Sequence, residues 1–298
     1  MRFSSITNFI NEFQANPVGS LITLAYLAVV ILFSLIIHEC AHGYVALKCG
    51  DPTAKMMGRL TLDPRKHLDP IGTICMIFLR FGWAKPVPVN PRNFRNYRKD
   101  YILVSLAGIV TNLLICMISL MISALMVRAI WCKELIDYLA DAGQKNVLID
   151  IYGSTSIYLK DISVYYSDMS KLIDLLQEYS GYSGFEFSSY AIYSGQFDIY
   201  RVLTSGTGLM YVQRLFLMLA QMNLALAVFN LLPVPPLDGF RFMDQFVFKG
   251  QLRMTPQTMQ YIRIGFLVVC MSGLLTGLLT TVNSAVFGWL CKLFAMLI

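Results

Sequence analysis

His38-Glu39-Cys40-Ala41-His42 places two imidazoles and a carboxylate in an H-E-x-x-H pattern. On a helix, the i, i+4 spacing puts both histidines on one face, one turn apart, where they can grip a single metal ion. Glu39 follows the first of them and is placed to take a proton from a metal-activated water. The chemistry implied is metal-assisted hydrolysis. The same pattern occurs on solvated helix faces in soluble proteins, where it does nothing. Here Phe13–Ile37, directly before it, holds no charged residue. Hydrocarbon does not tolerate unpaired polar clusters, so in that setting the functional reading outweighs the bland one.

The elements that must position this motif are apolar. Of 298 residues 56% are hydrophobic and 14% charged, too apolar for a soluble globular domain. Four stretches lack Asp, Glu, Lys and Arg altogether: Phe13–Ile37, Tyr101–Val127, Leu215–Leu237 and Ile264–Cys291. Each exceeds the roughly 20 residues that cross a bilayer. The expected fold is an all-α polytopic membrane protein. It has four main transmembrane helices, a short membrane-dipping β segment and a small α+β extramembrane insert. The helices are expected near 17–47, 100–130, 207–232 and 261–281, with 283–298 a short terminal helix or an extension of the fourth. The first run is read as a retained helix, because no small-residue cleavage site follows it.

Charge distribution orients these spans. Eleven Lys/Arg face four Asp/Glu between Lys48 and Asp100, against four and ten between Lys133 and Tyr200. That is the positive-inside pattern, and it argues against nucleic acid as the partner of the net +6 charge. The seven cysteines form no C-x-x-C pair, so neither a disulfide framework nor a structural zinc cluster is expected.

The chain divides into an interfacial lead (1–16), a first membrane half (17–132), an extracytoplasmic insert (133–206) and a second membrane half (207–298). Within the first half, Trp83-Ala84-Lys85-Pro86-Val87-Pro88-Val89-Asn90 cannot be helical and is expected to lie extended near the active site. The insert is acidic and holds ten of the sixteen tyrosines.

A catalytic zinc usually has three protein ligands. Candidates for the third are His67, Asp63, Asp69, Asp238 and Asp244. Topology favours Asp238: with helices alternating in direction, it and His38 both fall toward the cytoplasmic ends of their helices. Gly239 beside it lets backbone approach closely. Gly108 permits close helix contact, and Asn112 is an intramembrane amide in need of a partner.

The chain resembles the site-2 protease family of intramembrane zinc metalloproteases. His38 through Gly43 matches its H-E-x-x-H-G, and Asn230 through Gly239 matches N-x-x-P-x-P-x-L-D-G. Gly82 through Val89 is similar to the extended segment between its first two core helices. Gly108 and Asn112 resemble its G-P-x-x-N, with Ile109 in place of the proline. The resemblance spans about 20–112 and 215–281 and leaves out the insert, which is not assigned as a PDZ domain. No CBS-type module is expected after the fourth helix.

The resemblance implies one Zn2+ per chain held by His38, His42 and Asp238, with Glu39 as general base. Asn112, Asn230, Pro233, Trp83, Val87 and Val89 are expected to contact substrate. The expected substrate is a single-pass membrane protein or a remnant signal peptide, cut within or near its transmembrane segment. The expected location is a bacterial inner (plasma) membrane, with the site nearer the cytoplasm. The alternative is a zinc-dependent membrane scaffold or chaperone, which would not need Glu39.

Overall fold

The computed structural model describes residues 13–14, 17–69, 85–130, 207–252 and 254–297. Trp83, most of the expected β segment and the whole 133–206 insert lie outside them. Seven α-helices are described: α1 (Pro17–Lys48), α2 (Thr53–Met56), α3 (Tyr97–Ile130), α4 (Thr207–Asn230), α5 (Asp238–Phe246), α6 (Pro256–Ser272) and α7 (Leu274–Phe294). Four are long and apolar enough to cross a membrane, over Leu24–Lys48, Tyr97–Val127, Val212–Asn230 and Gly277–Phe294. Large apolar side chains on α1 and α3 stand exposed, Val29 at 57% and Leu125 at 61% among them. Water would penalise such a surface and lipid would not.

Local chemistry sets the helix ends. α1 stops at Gly50, whose φ of 109° is open to glycine but strained for other residues. α3 begins three residues before the expected Asp100. Asn96 Oδ1 accepts the Lys99 N–H at 3.3 Å while Asp100 Oδ2 accepts the Asn96 N–H at 2.8 Å, a reciprocal cap that draws the first turn back to Tyr97. Prolines 233, 235 and 236 then keep α4 from continuing into α5.

The last apolar run departs from expectation. It is not one span over 261–281 followed by a short helix. Gly273, at φ 78°, caps α6 in the left-handed conformation, and α7 then runs unbroken from Leu274. The helix long and apolar enough to cross a membrane in this run is therefore α7, over Gly277–Phe294. No strand is formed among the described residues. Residues 85–90 are extended but irregular, and the Lys85 N–H donates to His67 O at 2.8 Å.

The chain separates into two compact units, Met1–Cys116 with Met222–Asn283, and Met117–Gln221 with Ser284–Ile298. In the second, buried Gln213 of α4 donates to Ser123 O of α3 at 3.2 Å. In the first, Asn223 Nδ2 of α4 donates to Ser34 Oγ of α1 at 2.8 Å, both side chains fully buried. Such a polar pair fixes helix register where lipid supplies no hydrophobic drive. All the chemistry-bearing residues lie in this first unit.

Candidate metal centre

α1 carries His38 and His42 on one face, as their spacing requires, with rings in edge contact at 4.8 Å between centroids. The chain returns 196 residues after His42 (238 − 42) to set Asp238 in the first turn of α5. His38 Nε2 lies 3.2 Å and His42 Nε2 3.1 Å from Asp238 Oδ2, and the two nitrogens are 3.1 Å apart. All three side chains are buried. Asp63, Asp69, Asp244 and His67 are not part of this group. His67 is 1% exposed and points its Nε2 at Thr61 O, 2.7 Å away.

Two glycines permit this convergence. A Cβ on Gly108 of α3 would sit 2.6 Å from both ring nitrogens of His38. A Cβ on Gly239 would sit 2.7 Å from Leu232 O and closer still to the Leu231 carbonyl. α3 thus touches the His38 ring, and α5 folds back against the end of α4. The second contact brings Asp238 to the histidines.

The donor set fits a zinc ion. Tetrahedral ligands at 2.0–2.1 Å stand about 3.3 Å apart, close to the separations here. His42 Nδ1 lies 2.7 Å from Val104 O, so the proton sits on Nδ1 and the Nε2 lone pair faces Asp238. Asn112 Nδ2 lies 3.1 Å from His38 Nδ1, while Asn112 Oδ1 is buried without a partner. Turning that amide lets Oδ1 accept from Nδ1–H, which satisfies the orphan and frees the His38 Nε2 lone pair as well. Two lone pairs and an anion then converge on one point, an arrangement that a divalent cation reconciles.

Glu39 stands beside this group, its Oε2 accepting the Val87 N–H at 2.8 Å. A cavity of about 500 Å3 opens over both, lined by His38, Glu39, His42 and Asp238 together with Val87, Val89, Asn230, Tyr101 and Arg241. Among the expected substrate contacts, Val87, Val89 and Asn230 line it. Asn230 also donates to Leu226 O of its own helix at 3.0 Å. Pro233 is exposed and Asn112 is fully buried behind His38, and neither lines the cavity. Sequence reasoning did not single out Arg241, Tyr101 or the Val104 carbonyl. Arg241 follows Asp238 by three residues, so helical spacing was the available signal. A backbone carbonyl carries none.

Residues 26–272 match the model of peptidase family M50. The chain is 34% identical over 246 residues to the candidate zinc metalloprotease YwhC of Bacillus subtilis, covering 83% of this chain and 80% of that protein. It is also 35% identical over 95 residues to the candidate zinc metalloprotease Rip2 of Mycobacterium tuberculosis, covering 30% and 36%. No solved structure matches.

Proposed function

The chain belongs to peptidase family M50, the site-2 protease family, and from that premise we propose that it cuts peptide bonds within or near the transmembrane segments of single-pass membrane proteins or remnant signal peptides. The protein is a metalloprotease and, with four membrane-length helices, an integral membrane protein. We assign its zinc, one per chain, to His38, His42 and Asp238. The observation that carries the reading is the meeting of these three side chains, from two distant stretches of chain, at the floor of a cavity that also holds Glu39.

Zinc, when bound, supplies a Lewis acid that acidifies water and polarises the scissile carbonyl. The chain's own residues do the rest. His42 is held in one tautomer by the Val104 carbonyl, and Asn112 orients His38. Glu39 accepts the water proton and passes it to the leaving amine. Its Oε2 is fixed by Val87, so the other oxygen is the one that faces the proton. Val87, Val89 and Asn230 contact the unwound substrate. In a regular helix the scissile carbonyl is already paired, and local unwinding is therefore part of recognition.

The positive flank of α1 supports a site nearer the cytoplasmic face, and the likeness to bacterial family members supports a bacterial inner (plasma) membrane. Quantitative membrane proteomics of cells carrying Glu39→Gln, compared with wild type, tests the reading. Accumulated single-pass proteins or signal-peptide remnants are expected in the variant, whose purified form keeps its zinc. An unchanged membrane proteome, with purified wild type unable to cut any single-span fusion, would refute it and favour a scaffold that does not use Glu39.

A further inference from the structure

The extended segment Lys85–Asn90 is gripped at both ends by buried charges that do not pair with each other. At one end, Arg59 is 8% exposed and its Nη2 donates to Lys85 O at 2.8 Å and to Pro86 O at 3.2 Å. At the other, Asp51 is fully buried and its Oδ2 accepts the Asn90 N–H at 2.7 Å. Asp51 Oδ1 takes the Asn93 amide at 2.8 Å, the Thr53 N–H at 3.1 Å and the Thr53 hydroxyl. Between the two grips, the Val87 N–H reaches Glu39, and the Val87 side chain packs over Gly43, where a Cβ would lie 2.9 Å from Cγ1.

Isolated buried charges are costly. Each of these is directed at the main chain of one six-residue segment. In a regular strand, successive carbonyls point to opposite sides. One guanidinium nitrogen holding two successive carbonyls therefore takes 85–86 out of regular strand geometry, and that grip fixes the backbone just before the Val87 N–H. Pro86 and Pro88 carry no N–H, leaving donors at Lys85, Val87, Val89 and Asn90. Three of the four are engaged, by His67 O, Glu39 Oε2 and Asp51 Oδ2. Among the described residues, the segment consequently offers a substrate strand the carbonyls of 87–89 and a single unengaged N–H, that of Val89, rather than an open two-way edge.

We infer that Arg59 and Asp51 are positioning residues of the proteolytic site: they clamp 85–90 so that the Val87 N–H holds the Glu39 carboxylate in its working orientation. This rests on the assignment of Glu39 as general base.

The test uses the full-length, zinc-loaded protein in nanodiscs. Hydrogen exchange is followed over 85–90 and over 38–48. Zinc content is measured, together with kcat and KM on a reporter fusion bearing one apolar span. In Arg59→Met, exchange over 85–90 should accelerate at least tenfold and kcat fall at least tenfold. KM should rise by less than kcat falls, since Val87 and Val89 also contact substrate, with zinc content and protection of 38–48 as in wild type. Arg59→Lys should restore part of both effects. Asp51→Asn, a milder change that decides the matter if Arg59→Met does not fold, should give the same split at threefold or more. Unchanged exchange at 85–90, or a kcat loss that merely tracks zinc loss and loosening of α1, overturns the inference. The exchange measurement needs no turnover. A wild type that fails to cut the fusion therefore counts against the proteolytic reading while the clamp is still decided.

Discussion

Gly108→Ala is the sharpest test of how closely the helices are packed around the metal site. The added Cβ would stand 2.6 Å from both nitrogens of the His38 ring and closer still to Cε1, whereas ordinary contact begins near 3.4 Å, so the ring must retreat by at least about 0.8 Å (3.4 − 2.6). The neighbour is a ring proposed to bind zinc, its Nε2 set 3.2 Å from Asp238 and 3.1 Å from His42, so the retreat misplaces a donor. Metal sites tolerate ligand displacements of about 0.2 Å. Disturbing even the partners behind a ligand costs roughly 10–100-fold in affinity. Zinc affinity should fall at least 100-fold, and turnover at saturating zinc about as much, since misplacement near 1 Å costs about that. Zinc content after equilibration against a chelator series, with turnover of a single-span fusion, reads both. Gly265→Ala is the control, because its Cβ meets nothing within 4 Å. The packing argument is wrong if Gly108→Ala binds zinc and turns over within threefold of wild type.

Three further outcomes follow from neighbouring contacts. Gly239→Ala should be at least as damaging as Gly108→Ala, because its Cβ meets the Leu231 and Leu232 carbonyls of the backbone, which cannot rotate away; retained zinc would contradict this. Arg98→Met removes donors to Gln245 O at 3.0 Å and Phe246 O at 3.2 Å, uncapping the end of α5. Being exposed, it should cost only about 1 kcal/mol, seen as faster exchange across 238–246 with zinc still bound. For Asp51, burial raises the carboxyl but the Thr53, Asn90 and Asn93 donors outweigh it, leaving the group below its ordinary 3.8. A lowered folded value means the stabilisation is present above pH 3.8 and is lost as pH falls through the lower folded value. Protection of 85–93 should be flat from neutral pH down to that point. It should then drop with acid, and Asp51→Asn should lack that drop.

His38, His42 and Asp238, which the structure brings together, could be picked out in the sequence from helical spacing and from placement beside an apolar span. Two histidines one turn apart face the same way on any helix, and Asp238 followed by Gly239 after an apolar span has few structural reasons to exist in lipid. The helical spans were legible from the absence of charge. Their ends were not: a side-chain cap drew α3 back to Tyr97, and one left-handed glycine divided the last apolar run between α6 and α7.

The chain by itself pointed to the groups proposed for the chemistry and to the kind of ion proposed for them, since donor type and helical spacing are written in residue order. It did not determine what aims them. That Asn112 stands behind His38 rather than lining the cavity depends on how α3 meets α1. The hold of Val87 on Glu39 depends on a backbone N–H, which every residue except proline possesses. Arg59 and Asp51 act on carbonyls and amides 26–39 residues away, with no periodic signal between them. Main-chain donors and acceptors are the same at every position, so only the folded path of the chain decides which of them meet.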